Sequence, residues 1–482
     1  MRVLEHLKPE KVFYYFEEIC GIPHPSYKEQ KISDYLVDFA EKHHLEHTRD
    51  GLGNVIMIAP ASQGYETAAP VILQGHMDMV CEKKPGCDID FETEGLRLAV
   101  EGDCVYAEGT TLGGDDGIAV AMALAILDSP EIAHPRLEVV LTVSEEVGME
   151  GATAIDLSML QGRRMINIDS EQEGILTVGC AGGNSTICHL GVSRESAGGR
   201  LLHVSLTGLT GGHSGIEIDK GRANANLALA SLLYELVQEG YEFSLASLSG
   251  GAKQNAIPRE ARMSLVCEEA AEQSLREALQ AKVQILQQTY SDTDPSLHLE
   301  LHSEPCEAIL AVSGTCLGRI THLLRALPAG IQAMSADIEG LVETSLNLGI
   351  MELTEKELRL EYSVRSSRDA SLAALTDQIR QLLEAAGGRV DVSGSYPAWE
   401  YRADSPLRED AVRIFTRMYG HEPVVETVHA GLECGILAAK LPGLDAISIG
   451  PDLHHIHTVE ETLSISSTAR VYEYVLELLA LR

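Results

Sequence analysis

Five short segments of this 482-residue chain place His, Asp or Glu at the end of an apolar run, where an α/β sheet holds its reactive groups. In VILQGHMDMV, His76 and Asp78 are two positions apart, so an extended strand projects both from one face. An imidazole there can ligate a metal while a neighbouring carboxylate orients it, although such a pair alone also suits an ordinary surface or core. TTLGGDDGIAVAMA sets Asp115 and Asp116 between a glycine pair and an apolar helix. Aspartate is a common helix N-cap, which accounts for one of the two and leaves the other. The run LEVVLTV ends in Ser144, Glu145 and Glu146; adjacent carboxylates are costly at a buried strand end without a cation and ordinary at a solvated one. RRMINIDSE delivers Asp169 in the same way, and SIGPDLHHIHTVEE carries His454, His455 and His457 in a loop after another strand.

Taken together these residues form an oxygen-and-nitrogen ligand set for two hard or borderline divalent cations. A bridging carboxylate, one carboxylate and one His per metal, and a spare Glu are the composition of a two-metal hydrolase. There the metals lower the pKa of a shared water and the free Glu shuttles its proton.

The elements that must position these groups follow from hydrophobic period. Val12, Tyr15, Phe16 and Ile19 recur at spacings of three and four, which predicts an N-terminal helix, and a second helix follows Tyr27. NVIMIA, PVILQGHMD, LEVVLTVSEE and RRMINIDSE read as strands, and GIAVAMALAIL as an apolar helix. Near-continuous apolar strands alternating with helices predict an α/β sheet buried on both faces. Between residues 180 and 200 the chain turns rich in Gly and Ser, a boundary signal. Helices are expected over about 222–238, 270–289 and 408–419, and LRLEYSVRSSRDASLAALTDQIRQLLEAAGG reads as strand, turn and helix closed by a glycine pair. From about 400 the polar and apolar pattern of the N-terminal segment returns. The expected architecture is one discontinuous α/β domain, residues 1–186 and 396–482, with a domain inserted at 187–395.

Composition removes other classes of function. Lys plus Arg number 37 against 72 Asp plus Glu, a formal charge of −35. Such a surface repels phosphate backbones and anionic headgroups, so neither nucleic acid nor a membrane is an expected partner. One Trp and six Phe leave little for a base-stacking platform. No apolar run is long enough to span a bilayer, and MRVLEHLKPEKVFYYFEEICG lacks the pattern of a signal peptide. Ten scattered cysteines without a CxxC pair are neither a disulfide framework nor a cysteine zinc site, and a reducing cytoplasm is expected. Phosphate-binding glycine loops are absent.

GHMDMVCEK, GTTLGGDDGIA, SEEVGMEGA, NIDSE, GGHSG, HAGLECG and IGPDLHHIHT, in this order, resemble the di-zinc peptidase family of carnosinases, tripeptidases and carboxypeptidases. The resemblance runs from about residue 5 to the C-terminus, and GHMDMVCEK and HAGLECG point to its dipeptidase and tripeptidase branch. It implies an aminopeptidase-like catalytic domain, a mixed sheet between helices, with an inserted α+β lid. It further implies that His76 and Asp169 hold one zinc, Glu146 and His457 the other, and that Asp115 bridges them, with Mn²⁺ or Co²⁺ able to substitute. Asp78 would orient His76, and Glu145 would be the general base. Alternation along an extended strand agrees, since it lets only one of Glu145 and Glu146 ligate a given ion easily.

In the inserted domain, GLTGGHSGIEI puts His213 in a glycine-rich turn. A structural turn histidine is the plain reading; the resemblance implies a donor to the scissile carbonyl. Asn255 and Arg365 resemble substrate contacts, the guanidinium suiting a carboxylate through its fork. Gly431 and Glu433 of HAGLECG would lie near the second zinc, Glu433 recognising a free α-amine. One departure is Asp116, where close relatives often carry Asn after the bridging Asp. The implied activity is hydrolysis of short unblocked peptides, Xaa-His dipeptides foremost. A tripeptidase, a broad dipeptidase, an N-acyl amino acid hydrolase and a non-catalytic metal-binding relative are the alternatives. The insertion is larger than the family's usual single lid, so it could close the site within one chain or still form a homodimer.

Overall fold

The computed structural model describes residues 2–481. Two compact units divide the chain: Met1–Cys180 with Tyr401–Thr427 and Leu432–Arg482, and Ala181–Glu400 with Val428–Gly431.

The first unit is built on an eight-stranded sheet. Its order is Glu46–Arg49, Val55–Ala59, Leu137–Thr142, Val71–His76, Arg164–Asn167, Asp445–Ser448, Ile175–Cys180 and Val424–Val428. The Val71–His76 strand runs parallel to both of its neighbours, and Asp445–Ser448 runs parallel to Arg164–Asn167. Four adjacent strands therefore end on the same edge. Val55–Ala59, Val71–His76 and Leu137–Thr142 are buried at every position, because helices cover both faces and no residue can point to water. Helix Gly114–Leu127 is apolar on all sides and lies against Val71–His76 and the N-terminal helix Glu10–Cys20. That N-terminal helix buries Val12, Phe13, Tyr15, Phe16, Ile19 and Cys20, the stripe expected from its spacing. Helix Pro406–Tyr419 starts at a Ser405 cap and ends at Gly420 in the left-handed region, φ 79°.

The second unit is α+β. Its nine-stranded sheet is antiparallel throughout, with order His298–Ala311, Glu195–Thr207, Ala261–Cys267, Ser244–Gly250, Val342–Leu353, Glu357–Ser366, Gly182–Gly191 and Arg389–Tyr396, and with Gly330–Met334 beside Val342–Leu353. Burial alternates along Glu357–Ser366, the mark of a sheet with one face against a core. Helices Ala225–Gln238, Glu269–Thr289, Gly314–Ala326 and Asp369–Ala385 supply that core with residues such as Leu229, Leu279, Ile320 and Ile379. A mixed α/β unit that is discontinuous in sequence, with an α+β unit inserted in the chain, is thus the fold class, as the sequence implies.

Candidate active site

Each parallel strand of the first unit carries a ligand-type residue at or just past its C-terminal end. His76 closes its own strand; Glu145 and Glu146 lie in the turn after Leu137–Thr142; Asp169 follows Arg164–Asn167 by two residues; His457 lies in the loop after Asp445–Ser448. Asp115 comes from the first turn of helix Gly114–Leu127, and its peptide bond to Asp116 is cis. The groups meet. Asp115 Oδ1 is 3.0 Å from His76 Nε2, and Asp115 Oδ2 is 3.2 Å from His457 Nε2. Glu146 Oε1 lies 2.8 Å from the same His457 nitrogen, and Asp169 Oδ1 lies 3.7 Å from His76 Nε2. One carboxylate therefore faces two imidazoles, each of which has a second carboxylate beside it.

Adjacent glutamates do not diverge here as an extended strand would require. The strand ends at Thr142, Ser144 has φ 55°, and Glu145 and Glu146 lie in a turn. Oxygens of both come within 4.8 Å of His76 and of each other.

Several neighbouring carboxylates hold these elements in place. Asp78, 1% exposed, accepts hydrogen bonds from the backbone N–H of Glu145 (3.0 Å) and Glu146 (3.3 Å) and from Ser26 Oγ (2.8 Å). Its carboxylate is 3.4 Å from His76 Nδ1, whose closer partner is the Asp78 carbonyl at 3.0 Å. Asp78 thus orients the glutamate turn as well as the imidazole. Glu29 accepts from both N–H and Oγ of Ser144. Asp116 accepts the N–H of His76 at 3.2 Å; a Cβ on Gly75 would come 2.4 Å from that same carboxylate oxygen, so the approach requires glycine. Glu433 is fully buried, with Oε2 accepting from Gln74 Nε2 and Thr142 Oγ1, each at 2.6 Å.

Burial dominates the electrostatics. It pushes Glu145 up to about 8 and Glu433 up to about 7, and raises Asp116 and Asp169 well above the usual carboxylate range. Hydrogen bonds to Asp115 and Glu146 raise His457 to about 10. Asp115 goes the other way: burial opposes its charge, but His457 and His76 outweigh it.

In the second unit, His213 lies on a short strand paired with Ala256–Ile257. Its Nδ1 accepts from the N–H of Gly215 and of Ile216, both at 3.2 Å, which leaves the proton on Nε2 as a free donor. Burial, then the nearby Arg365, lowers its pKa and keeps the ring neutral. Asn255 is exposed and its carbonyl accepts from Ser214 N–H, so it lies beside His213. Arg365, 7% exposed, donates through Nη1 to Tyr396 Oη (3.1 Å), while its Nε is buried without a partner. His429, which no local signal within HAGLECG marks out, pairs through Nε2 with Ser345 Oγ (2.8 Å) and leaves Nδ1 buried and unpartnered. Gly431 ends the same short segment. His454 and His455 are exposed.

Comparison with known proteins places this geometry. The model of Peptidase family M20/M25/M40 matches residues 72–481. The chain belongs to this family. A cytosol non-specific dipeptidase of Escherichia coli (strain K12) is 35% identical over 483 residues, covering 99% of each protein. The aminoacylhistidine dipeptidase from Vibrio alginolyticus has a solved structure that matches with a TM-score of 0.91 at 34% identity, over 99% of this chain and 97% of that one. Aminopeptidase PepT from Bacillus cereus shares the fold, with a TM-score of 0.56 at 15% identity over 98% of each chain. The resemblance carried by the motifs is borne out, and this M20/M25/M40 member is a metallopeptidase, a hydrolase.

Its donor set suits metal ions. His76, Asp116 and Asp169, then His76, Glu145 and Glu146, then Asp115, Glu146 and His457, each offer ligand atoms within 4.8 Å of one another. Among the described residues no Lys or Arg nitrogen lies within 4.0 Å of Asp78, Asp115, Glu145, Glu146 or Asp169; the ionic partners of all but Glu145 are His76 and His457. So many carboxylates gathered at the strand ends are favourable places for cations. Among the described residues no disulfide is formed, and no helix is long and apolar enough to cross a membrane.

Proposed function

We propose that this family member is a dipeptidase that cleaves short peptides with a free amino terminus, Xaa-His dipeptides among them, using two Zn²⁺ ions. The observation that carries the reading is Asp115, whose two oxygens face His76 and His457 at 3.0 and 3.2 Å while Glu145 stays uncommitted nearby. His76 and Asp169 would hold one ion, Glu146 and His457 the other, with Asp115 shared. Bound there, the ions would acidify a shared water and polarise the scissile carbonyl, and Mn²⁺ or Co²⁺ could replace zinc. Glu145 takes the proton of the attacking water and returns it to the leaving amine. Asp78 keeps the Glu145–Glu146 turn and the His76 ring in register. From the lid domain, His213 offers Nε2–H to the carbonyl oxygen as negative charge develops. Arg365 binds the substrate carboxylate, and Asn255 and Gly431 line the peptide. The names of the two relatives above 30% identity support a dipeptidase and leave its breadth wide: one is non-specific, the other aminoacylhistidine-directed. Ten cysteines that form no disulfide suit the reducing cytoplasm. We place the protein there, acting on small peptides, with a homodimer as the assembly to look for.

A panel of carnosine, other Xaa-His dipeptides, non-His dipeptides, tripeptides and N-acetylated dipeptides, assayed with Zn²⁺, Mn²⁺ or Co²⁺, tests this. Free dipeptides should be cleaved fastest, and a chelator should abolish turnover reversibly. Faster cleavage of tripeptides or acetylated peptides overturns the substrate class; full activity after metal removal overturns the mechanism.

A further inference from the structure

Glu433 is the buried acid that the hydrolytic steps leave unused. It is the first residue of helix Glu433–Lys440 and has no exposed surface. Its Oε2 takes two hydrogen bonds from different strands, Gln74 Nε2 on Val71–His76 and Thr142 Oγ1 on Leu137–Thr142. Gln74 Oε1 in turn accepts from Asn167 Nδ2 at 2.6 Å, on Arg164–Asn167. Gln74 and Asn167 are direct partners across the parallel pair, and Thr142 is level with His76 across the other. Side chains two apart on a strand share a face, so Gln74 lies directly beneath His76, and Asn167 and Thr142 are each the last residue of the strand before a ligand-bearing turn. One carboxylate thereby ties together three neighbouring strands at the level where they release His76, the Glu145–Glu146 turn and Asp169. Gln74, Thr142 and Asn167 are themselves 0–2% exposed, so no water competes for these bonds.

The geometry points to Glu433 as a positioning residue, whose clamp on Gln74 and Thr142, relayed to Asn167, sets the spacing of the three strand ends that carry the metal ligands. This rests on the two-metal reading above. It differs from a role in gripping the substrate amine, because Oε2 is taken by the protein's own donors while Oε1 is buried and meets none, and the zinc and KM readouts below separate the two roles. Removing the carboxylate frees a buried amide and a buried hydroxyl at once, and the strand ends lose the cross-tie that fixes their separation.

The test is the affinity for Zn²⁺ alone, read by competition with a chromogenic chelator on the parent, Glu433→Ala, Glu433→Gln and Asn167→Ala proteins. Losing such an outer partner typically weakens metal binding about 10–100-fold. Glu433→Ala should show a loss of that size, and Glu433→Gln a smaller one, because an amide oxygen can still accept. Asn167→Ala, which breaks the relay at its far end and leaves Glu433 intact, should weaken binding in the same direction and keeps the test open if Glu433→Ala does not fold. Unchanged zinc affinity in Glu433→Gln and Asn167→Ala overturns the proposal. So does a Glu433→Gln protein of parental zinc affinity whose KM rises for free dipeptides and not for N-acetylated ones, which would return Glu433 to the amine. A parent protein that binds no zinc would overturn the two-metal reading itself, a result distinct from either.

Discussion

Replacing Glu461 by Ala should weaken both the first unit and its metal centre. Glu461 is 3% exposed, and its carboxylate accepts three backbone N–H groups: Leu112 (2.7 Å) and Gly113 (3.2 Å) on Oε2, and Gly114 (2.8 Å) on Oε1. Those three residues form the turn directly before Asp115, and Glu461 follows His457 by four residues. The carboxylate therefore ties the loop of one ligand to the turn of the shared one. A hydrogen bond to a charged group contributes about 1.5–3 kcal/mol net, so three would total about 4.5–9 if independent. They share one carboxylate and are not independent, and the charge itself is costly to bury, which brings the expected loss to about 3–5 kcal/mol. Folded proteins have roughly 5–15 kcal/mol in hand, so the variant should fold with a clearly lowered denaturation midpoint. Urea titration followed by far-ultraviolet circular dichroism, with and without zinc, measures the first effect, and zinc stoichiometry after gel filtration the second. Glu461→Gln keeps one accepting oxygen but turns an NH₂ toward a backbone N–H, so it should fall between parent and Ala. A Glu461→Ala protein within about 1 kcal/mol of the parent that still retains two zinc ions would refute the coupling of these loops.

Three further outcomes are expected. Glu145→Ala should keep its metal content while turnover falls by about 10²–10⁴-fold, the usual contribution of a general base; loss of metal instead would exchange its role with Glu146. His213→Ala should lower kcat by roughly 10²-fold or more if Nε2–H donates to the developing oxyanion, and an unchanged rate would leave it a turn residue holding the N–H groups of Gly215 and Ile216. Burial, aided by Arg365 and His213 and opposed by Asp219, lowers His429 to about 4. The unfolded chain then binds the extra proton first, so stability is full above about 6.5 and is lost as pH falls toward 4, by about 3 kcal/mol. Equilibrium unfolding of parent and His429→Gln across that window should differ by this slope; parallel curves would show that the ring is not held neutral.

The residues proposed as ligands are legible because each is announced locally. A strand of continuous apolar residues ends, and His76, Asp169 or a glutamate pair follows at once, so period and residue type suffice. The supporting carboxylates carry no such mark. Glu461 meets Leu112 from 349 residues away, Glu29 meets Ser144 from 115, and Glu433 meets Gln74 from 359. In the sequence each is an isolated Glu, indistinguishable from the many that face water. His429 was hidden for a similar reason: its partner Ser345 lies on a strand 84 residues away. The divergence expected of Glu145 and Glu146 failed on a dihedral: the positive φ of Ser144 ends the strand alternation one residue too soon for it to apply.

What each buried acid does follows from which donors reach it. Asp78, Glu29 and Glu461 are occupied by main-chain N–H groups and so hold turns in place. Asp116 is occupied by the His76 N–H, and Glu433 by Gln74 and Thr142. Among the described residues the ionic partners of Asp115, Glu146 and Asp169 are imidazoles, an arrangement that suits the proposed sharing of a cation. Glu145 has none of these. Among the described residues no hydrogen bond or ion pair engages its carboxylate, although its backbone is pinned by Asp78. A carboxylate that is fixed at its root, free at its tip and raised to about 8 chiefly by burial fits the proposed role of taking a proton and giving it back. Because the Asp78 carboxylate holds the backbone N–H of Glu145, substitutions at Asp78 should impair turnover through Glu145.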